Sequence, residues 1–555
     1  MPSLSNMVRH AVLRTALRAT QGRFHGRLLE ASKTPRDTQV ALLRHILAMN
    51  AGTEFGRRHE LSRVKSIDDY RTALPIQTYE DLRPFIERQE LTGEECLTME
   101  RPVYYHRTIG TVGAPKNIPI TKTGLKRIRR QQKISAYAQF RGSAIFDGKM
   151  FGITGQAVEG RMAGGTPFGS ASGLLYQSQS TFVRSRYVLP PEIFALADYE
   201  ARYLAMAIYG LSEPRVTCIA TANPSTLVRI LAVINQNPDA ILDAVATGRL
   251  PDSVSPTGAL KSNLAANPNR AARLADKLAA AGTLDYFDIW PNLKGVVTWT
   301  GGSCEVPLRR LSSSLTANSM IIELGYVASE FRGTINIDVQ RNICLPTLSD
   351  TFFEFAERQA WDDGKLEFLS LHELDVGRDY YVFVTTTDGL YRYDMNDIVR
   401  VAGRVNNTPT LTFVQKGKGV TNITGEKLYE SQVVEAVLAA LSTRRINADF
   451  FIMLADQETA GYTLYIEAST PIHGAGRVLF DDIDGRLRLS NIEYDGKRGS
   501  GRLAPLEVRW LQSGTGEIYR QRRVAGGQRD AQFKYLHLQL AHECAFDLDA
   551  HGEPG

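Results

Sequence analysis

The stretch from Arg215 to Gly302 constrains the fold most. "RVTCIATA" and "LKGVVTWTGG" are short, apolar and rich in β-branched residues, and each runs into a turn signal. Between them, "PSTLVRILAVINQNPDAILDAVATG" has helical spacing and reads as a helix. Strand, helix, strand in that order implies a sheet with covering helices.

The flanking segments extend this picture. "TQVALLRHILAMNAG" is a helix closing on a glycine, and "LKRIRRQQKISAYAQF" is a long one. From Tyr380, "YYVFVTTTDGLYRYDMNDIVRVAGR" is strand-rich, with a tight turn at Asp388-Gly389. The glycine-heavy "QKGKGVTNITGEK" interrupts it, and a helix and two strands follow ("ESQVVEAVLAALS", "DFFIMLA", "YTLYIEAS"). With 555 residues the chain exceeds one core. The expected fold class is α/β: a large domain of helix-covered β-sheets over residues 1–420, and a small α+β domain over 421–555.

Composition narrows the class. Hydrophobic residues at 43% and charged residues at 23% are those of a soluble globular protein. A net charge of +5 suits anionic small ligands rather than nucleic acid, which calls for clustered basic faces. Cys96, Cys218, Cys304, Cys344 and Cys544 are scattered, which argues against a spacing-based metal site and a disulfide framework. A reducing cytoplasm suits them. No run has the apolar length of a transmembrane segment. The N-terminal stretch is basic, with Val8, Val12, Leu13, Ala16 and Leu17 at helical spacing. It reads as an amphipathic helix packed on the domain rather than a membrane-surface or transit helix.

The segment closest to chemistry is "TIGTVGAPKNIPIT", Thr108 to Thr121. Gly110 and Gly113 are three apart, so the nucleotide-triphosphatase loop, with four residues between its glycines, is excluded. What remains is a turn whose glycines admit close backbone approach, with Lys116 as a mobile cation: an anion-binding loop or an ordinary surface turn.

Four further segments make the loop specific: "WPNLKGVVTWTGGS", "GYVASE", "GLYRYDMNDIVRVAG" and "TNITGEKLYE". In their order and distances they resemble the auxin-responsive Gretchen Hagen family of acyl-acid amido synthetases, in its bacterial branch, among the adenylate-forming enzymes. "SIDDYRTALPIQTYEDLRPFIER" and "GEIYRQRRVAGGQRDAQFKYLHL" extend the resemblance almost end to end. It implies a ligase that uses ATP and Mg²⁺ to adenylate a carboxylic acid and passes the acyl group to an amine, an amino acid in the first instance. The large domain would bind nucleotide and acyl group, and the small one would be mobile.

The resemblance also implies roles. Thr108, Gly110, Thr111, Gly113 and Lys116 stand where the family's phosphate loop does, and Gly302 and Ser303 in its nucleotide-binding turn. Ser329 and Glu330 match its Ser-Glu pair, with Glu330 the Mg²⁺ ligand, and Tyr326 flanks the adenine or lines the acyl pocket. Asp397, at the end of a strand, matches the acid that accepts from the ribose hydroxyls. Lys534 matches the small-domain lysine that reaches the carboxylate and α-phosphate, while Lys418 ranks below it as a hinge charge. Read locally, Asp397 is equally a turn acid, Glu330 a helix-start acid and Lys534 a solvated charge. The loop departs from the family pattern, since Ile109 and Val112 replace hydroxyl residues. Two other readings therefore stay open: a CoA ligase using the same first step, and a nucleotide-binding protein of weakened turnover.

Overall fold

Four parallel strands form one sheet of the large unit, in the order Lys149–Gly152, Val216–Ala220, Gly295–Thr298 and Met320–Glu323. The two strands expected around residues 215–302 are neighbours in it. The helical stretch between them is two helices, Ser225–Gln236 and Pro238–Thr247, rather than the one expected. Pro238 lacks an N–H and biases Asn237 away from helical dihedrals, which ends the first helix there.

The structure is a computed structural model describing residues 21–553 apart from 109–114, 255–259, 261–263, 363, 366, 418, 422, 425, 469–475, 500 and 526–532. Ile109, Gly110, Thr111, Val112, Gly113, Lys418 and the segment from Val8 to Leu17 lie outside the described residues, as do the side chains of Thr108 and Ser303. Among the described residues no helix is long and apolar enough to cross a membrane.

Beside a two-stranded sheet, Thr334–Asp338 with Ile343–Pro346, two larger sheets lie wholly or mostly in the large unit. One has the order Lys116–Thr121, Pro102–Thr108, Pro167–Gly169, Gly160–Arg161. The other has Leu369–Ser370, Thr351–Glu357, Asp379–Thr386, Tyr393–Val405, Thr408–Lys416. Thr108 pairs with Lys116 across the first, so residues 109–115 join the ends of an antiparallel pair. After it comes the long helix Lys122–Gly142, anchored from a distance. The Asp388 carboxylate accepts from Thr121 N–H at 3.0 Å and Thr121 Oγ1 at 2.7 Å, and pairs with the Arg127 guanidinium. The Asp388-Gly389 turn, with Gly389 at φ +92, thus holds down the start of this helix.

The chain divides into two compact units. The smaller comprises Val414–Gly555 with Thr300–Arg310 and Asn396–Ile398, and the larger is the rest. The smaller contains a sheet in the order Glu507–Leu511, Gly461–Ala468, Ala448–Asp456, Leu538–Leu540. Its helix Glu430–Thr443 buries Val433, Val437 and Leu441 against Phe451, Met453 and Leu464. Within the glycine-heavy junction, Val420–Thr421 pairs with Leu428–Tyr429 as a hairpin. Glu426 fastens it, accepting from Ile423 N–H, Thr424 N–H and Tyr462 Oη at 2.7–3.0 Å.

Candidate functional site

The large unit gathers two of the candidate groups around the hydroxyl of a third residue. Lys116, at the head of its strand, donates from Nζ to Tyr393 Oη at 3.0 Å. Tyr393 Oη donates to Glu330 Oε1 at 3.5 Å, and Lys116 Nζ lies 3.9 Å from the same oxygen. Burial, and next the Glu330 charge, push the Tyr393 phenol far above its ordinary range, so it stays a donor. The ammonium also lies 5.6 and 5.9 Å from the Tyr393 and Tyr79 ring centroids, within cation–π range.

Glu330 is held by a tight hairpin rather than a helix start. Tyr326 accepts from Gly333 N–H at 2.8 Å, Val327 bridges Arg332, and Ala328 N–H reaches Phe331 O at 2.9 Å, leaving Ser329 and Glu330 at the tip. Gly325 at φ +94 starts the hairpin. His106 Nδ1 lies 2.9 Å from Ser329 O, a carbonyl that assigns the proton to that nitrogen. The Tyr326 ring, 6% exposed, packs edge-on to Phe331 at 5.2 Å and stacks on Phe413 at 5.9 Å.

The small unit holds the other described candidates. Gly302, at φ +61, opens a single turn, Gly302–Cys304, ahead of the helix Glu305–Ser312. Asp397 is not an exposed strand-end acid. It lies within the strand Tyr393–Val405, just after Asn396 at φ +47, and its side chain is 1% exposed beside Lys416 Nζ at 2.5 Å. Asp397→Asn should therefore lower stability as well as nucleotide affinity. About 1–2 kcal/mol is expected, since Lys416 stays solvated. Urea unfolding alongside ATP titration checks it; unchanged stability with weakened binding would contradict the structural share.

Lys534 belongs to an ordered arm. Phe533, Tyr535 and His537 pack at alternate positions, with Tyr535 5.1 Å from Phe450 and His537 stacked 4.3 Å from Phe451. The half-buried Lys534 lies between Phe533 and Tyr535, and its ammonium acts on the buried Glu430 carboxyl. Glu430 accepts from His537 N–H at 2.6 Å, and its own N–H donates to Gly419 O at 2.8 Å. Burial raises the Glu430 carboxyl to about 7, against the lowering by His537 N–H and Lys534.

A carboxyl raised above its unfolded value favours the folded state only while protonated. Stability should thus fall as pH rises from about 4.5, the unfolded value, to about 7. Glu430→Gln keeps the acceptor without the charge. The variant should unfold at higher urea than the parent at pH 8, by up to about 3 kcal/mol, and at the same urea at pH 4. Equal midpoints at pH 8 would show that the burial cost is fully offset.

Sequence reasoning missed Tyr393, Tyr79, His106, Lys416 and Glu430. Tyr393 and Glu430 stand inside the motifs "GLYRYDMNDIVRVAG" and "TNITGEKLYE", and "TYEDL" contains Tyr79. Their partners are far along the chain, so no spacing marks them.

The fold is similar to that of a solved 2-hydroxyisobutyryl-CoA ligase, with a TM-score of 0.55 at 12% identity, covering 91% of this chain and 89% of that one. Family models match along the chain: the GH3 family N-terminal domain over residues 24–318, its central domain over 344–416 and its C-terminal domain over 431–543. The chain belongs to the GH3, or Gretchen Hagen, family and is a ligase of the amido synthetase type. It is 27% identical to an indole-3-acetic acid-amido synthetase, GH3.4, of Arabidopsis thaliana, over 91% of this chain and 89% of that one. It is 24% identical to a 4-substituted benzoates–glutamate ligase, GH3.12, of the same plant, over 92% and 94%. The solved GH3.15 acyl acid amido synthetase superposes with a TM-score of 0.82 at 22% identity, covering 96% of each chain.

Proposed function

We propose that this chain, with ATP and Mg²⁺, adenylates a carboxylic acid and transfers the acyl group to the amine of an amino acid. The observation carrying the reading is the Lys116–Tyr393–Glu330 constellation beside the two ends of the anion loop. A carboxylate is a poor electrophile because its oxygen does not leave. Attack of that oxygen on the α-phosphorus expels pyrophosphate and gives an acyl adenylate. The amine then forms the C–N bond, AMP leaves with the C–O electron pair, and the nitrogen sheds a proton to water.

The first step brings two anions together, and the residues proposed for it offset that charge. Lys116 presents an ammonium oriented by Tyr393, and the amides of Gly110, Thr111 and Gly113 would face the phosphates with the Thr108 hydroxyl. Glu330 suits Mg²⁺, which takes one or two carboxylates and completes its shell with phosphate oxygens and water. Among the described residues no group of three or more His, Cys, Asp or Glu side chains is placed to hold a metal ion. When bound, Mg²⁺ would neutralise charge on the phosphates. Gly302 and Ser303 are assigned to the nucleotide turn, Ser329 and Tyr326 to the adenylate and acyl moieties, Asp397 to the ribose hydroxyls and Lys534 to the carboxylate and α-phosphate. The small unit would turn about residues 415–426, alternating between the half-reactions.

The acids named for the relatives, an indole acetic acid and benzoates, make an aromatic acid the first to try. The reducing cytoplasm is the proposed compartment, in keeping with the buried thiols of Cys96, Cys218 and Cys344. Incubation with ATP, Mg²⁺, hydroxylamine and a panel of carboxylic acids tests the reading: hydroxamate should form with at least one acid. ATP binding without hydroxamate from any acid would leave a nucleotide-binding protein instead.

A further inference from the structure

In the small unit one buried acid touches both the junction at residues 415–426 and the arm that carries Lys534. Glu430 opens the helix Glu430–Thr443, and its N–H donates to Gly419 O at 2.8 Å. Its carboxyl reaches the other way, with Oε1 accepting from His537 N–H at 2.6 Å. The junction side is reinforced. Gln415, itself buried, accepts from Ser431 N–H at 3.0 Å and donates from Nε2 to Lys416 O at 3.2 Å and Gly419 O at 3.3 Å. Gly419 O is thus held twice at the head of the helix. Gly419 sits at φ +135, where a Cβ would stand 3.4 Å from both Cβ and Oε2 of Glu430. Residues 415–419 therefore lie against the same side chain that holds the arm.

On the arm side, His537 is the residue at which the lysine arm meets the sheet. Its carbonyl accepts from Met453 N–H at 2.9 Å, and the strand Leu538–Leu540 begins immediately after it. Its ring is fixed as well, with Nδ1 2.7 Å from Phe451 O. Glu467 shows what a purely structural acid does in the same unit. It accepts from Gly514 and Gly516 N–H at 2.6 and 2.7 Å and fastens the start of the helix Thr515–Ala525. Both of its bonds go to one turn. Those of Glu430 go to two separate segments, to which the proposed function gives the turning point and the reacting lysine.

We propose that Glu430 is a positioning residue that couples the junction to Lys534, so that the setting of residues 415–419 fixes where the ammonium is presented during adenylation. The inference rests on the amido synthetase reading and on the role given there to Lys534. A change at the junction that shifts Gly419 O or the head of the helix carries the carboxyl with it, and with the carboxyl the His537 N–H it holds. Misplacing a reacting group by about 1 Å costs on the order of 100-fold in rate, so a small shift suffices. A neutral acceptor of the same length would hold His537 N–H too. The role therefore requires the geometry of Glu430 rather than its charge.

Three measurements on the full chain test this together: acid-dependent pyrophosphate exchange, transfer from a supplied acyl adenylate, and hydrogen–deuterium exchange. Glu430→Ala should lower pyrophosphate exchange by about 30-fold and leave transfer within about threefold of the parent. In the Lys534→Ala background the same substitution should cost less than about twofold, because the group it positions is gone. Glu430→Gln, which keeps an acceptor for His537 N–H, should restore exchange to within about fivefold of the parent. Deuterium uptake by residues 533–537 should quicken about tenfold in Glu430→Ala and in Gln415→Leu, which disturbs the junction alone. The two substitutions together should add nothing further. If Glu430→Ala does not fold, as judged by thermal unfolding, Glu430→Asp, which draws the acceptor back by one methylene, replaces it throughout. Equal losses in both half-reactions, additive losses with Lys534→Ala, or a Gln variant no better than the Ala variant would each overturn the proposal. So would an arm that keeps its protection in either Glu430→Ala or Gln415→Leu. Absence of acid-dependent exchange in the parent would refute the amido synthetase reading instead, and deuterium uptake by the arm would still decide whether Glu430 couples it to the junction.

Discussion

Lys534→Ala should depress acid-dependent pyrophosphate exchange by about 100-fold or more, the usual cost of removing one donor aimed at developing charge. Transfer from a supplied acyl adenylate to the amine should stay within a few-fold of the parent. The asymmetry follows from the chemistry. An ammonium between carboxylate and α-phosphate is needed while two anions are forced together, and it has no such task once the acyl adenylate exists. Lys534 is suited to this by its ordered surroundings. Phe533 and His537 are buried on either side of it, and His537 N–H is tied to Glu430. The side chain is therefore presented from a fixed backbone. Equal loss in both half-reactions would reduce Lys534 to a general binding or structural residue.

Glu330→Gln should be nearly as damaging to the first half-reaction, again by about 100-fold, because a neutral amide is a poor ligand for a hard cation. The substitution preserves shape and still accepts from Tyr393 Oη. The loss should therefore appear as a steep rise in the Mg²⁺ concentration giving half-maximal exchange, with circular dichroism unchanged. An unaltered Mg²⁺ dependence would mean that Glu330 serves only to orient Lys116 and Tyr393.

How much of this is legible in the sequence depends on the distance over which each feature is decided. The strands at 216–220 and 295–298 and the helix at 122–142 are written in local periodicity, and they stand close to where it puts them. Pro238 is in plain view too, but helical spacing continues on both sides of it and hides the break. Lys116 and Glu330 can be nominated from motif order. Their meeting point cannot, because Tyr393 is 277 residues from Lys116 and looks like one more aromatic in a strand. The burial of Asp397 escapes the sequence for a related reason. The left-handed turn of Asn396 inside the strand and the pairing with Lys416 depend on tertiary context, and both take the carboxylate out of solvent. The glycines at 417 and 419 signal a change of direction, but the hairpin that Glu426 and Tyr462 fasten there depends on a hydroxyl 36 residues away.

The measurement that tests the central claim most directly is radiolabelled pyrophosphate exchange into ATP by the full chain, with Mg²⁺, across aromatic and aliphatic carboxylic acids. Adenylation predicts label in ATP only when a suitable acid is present, abolished by Lys534→Ala and by chelation of the metal. Saturable ATP binding with no exchange for any acid would contradict it.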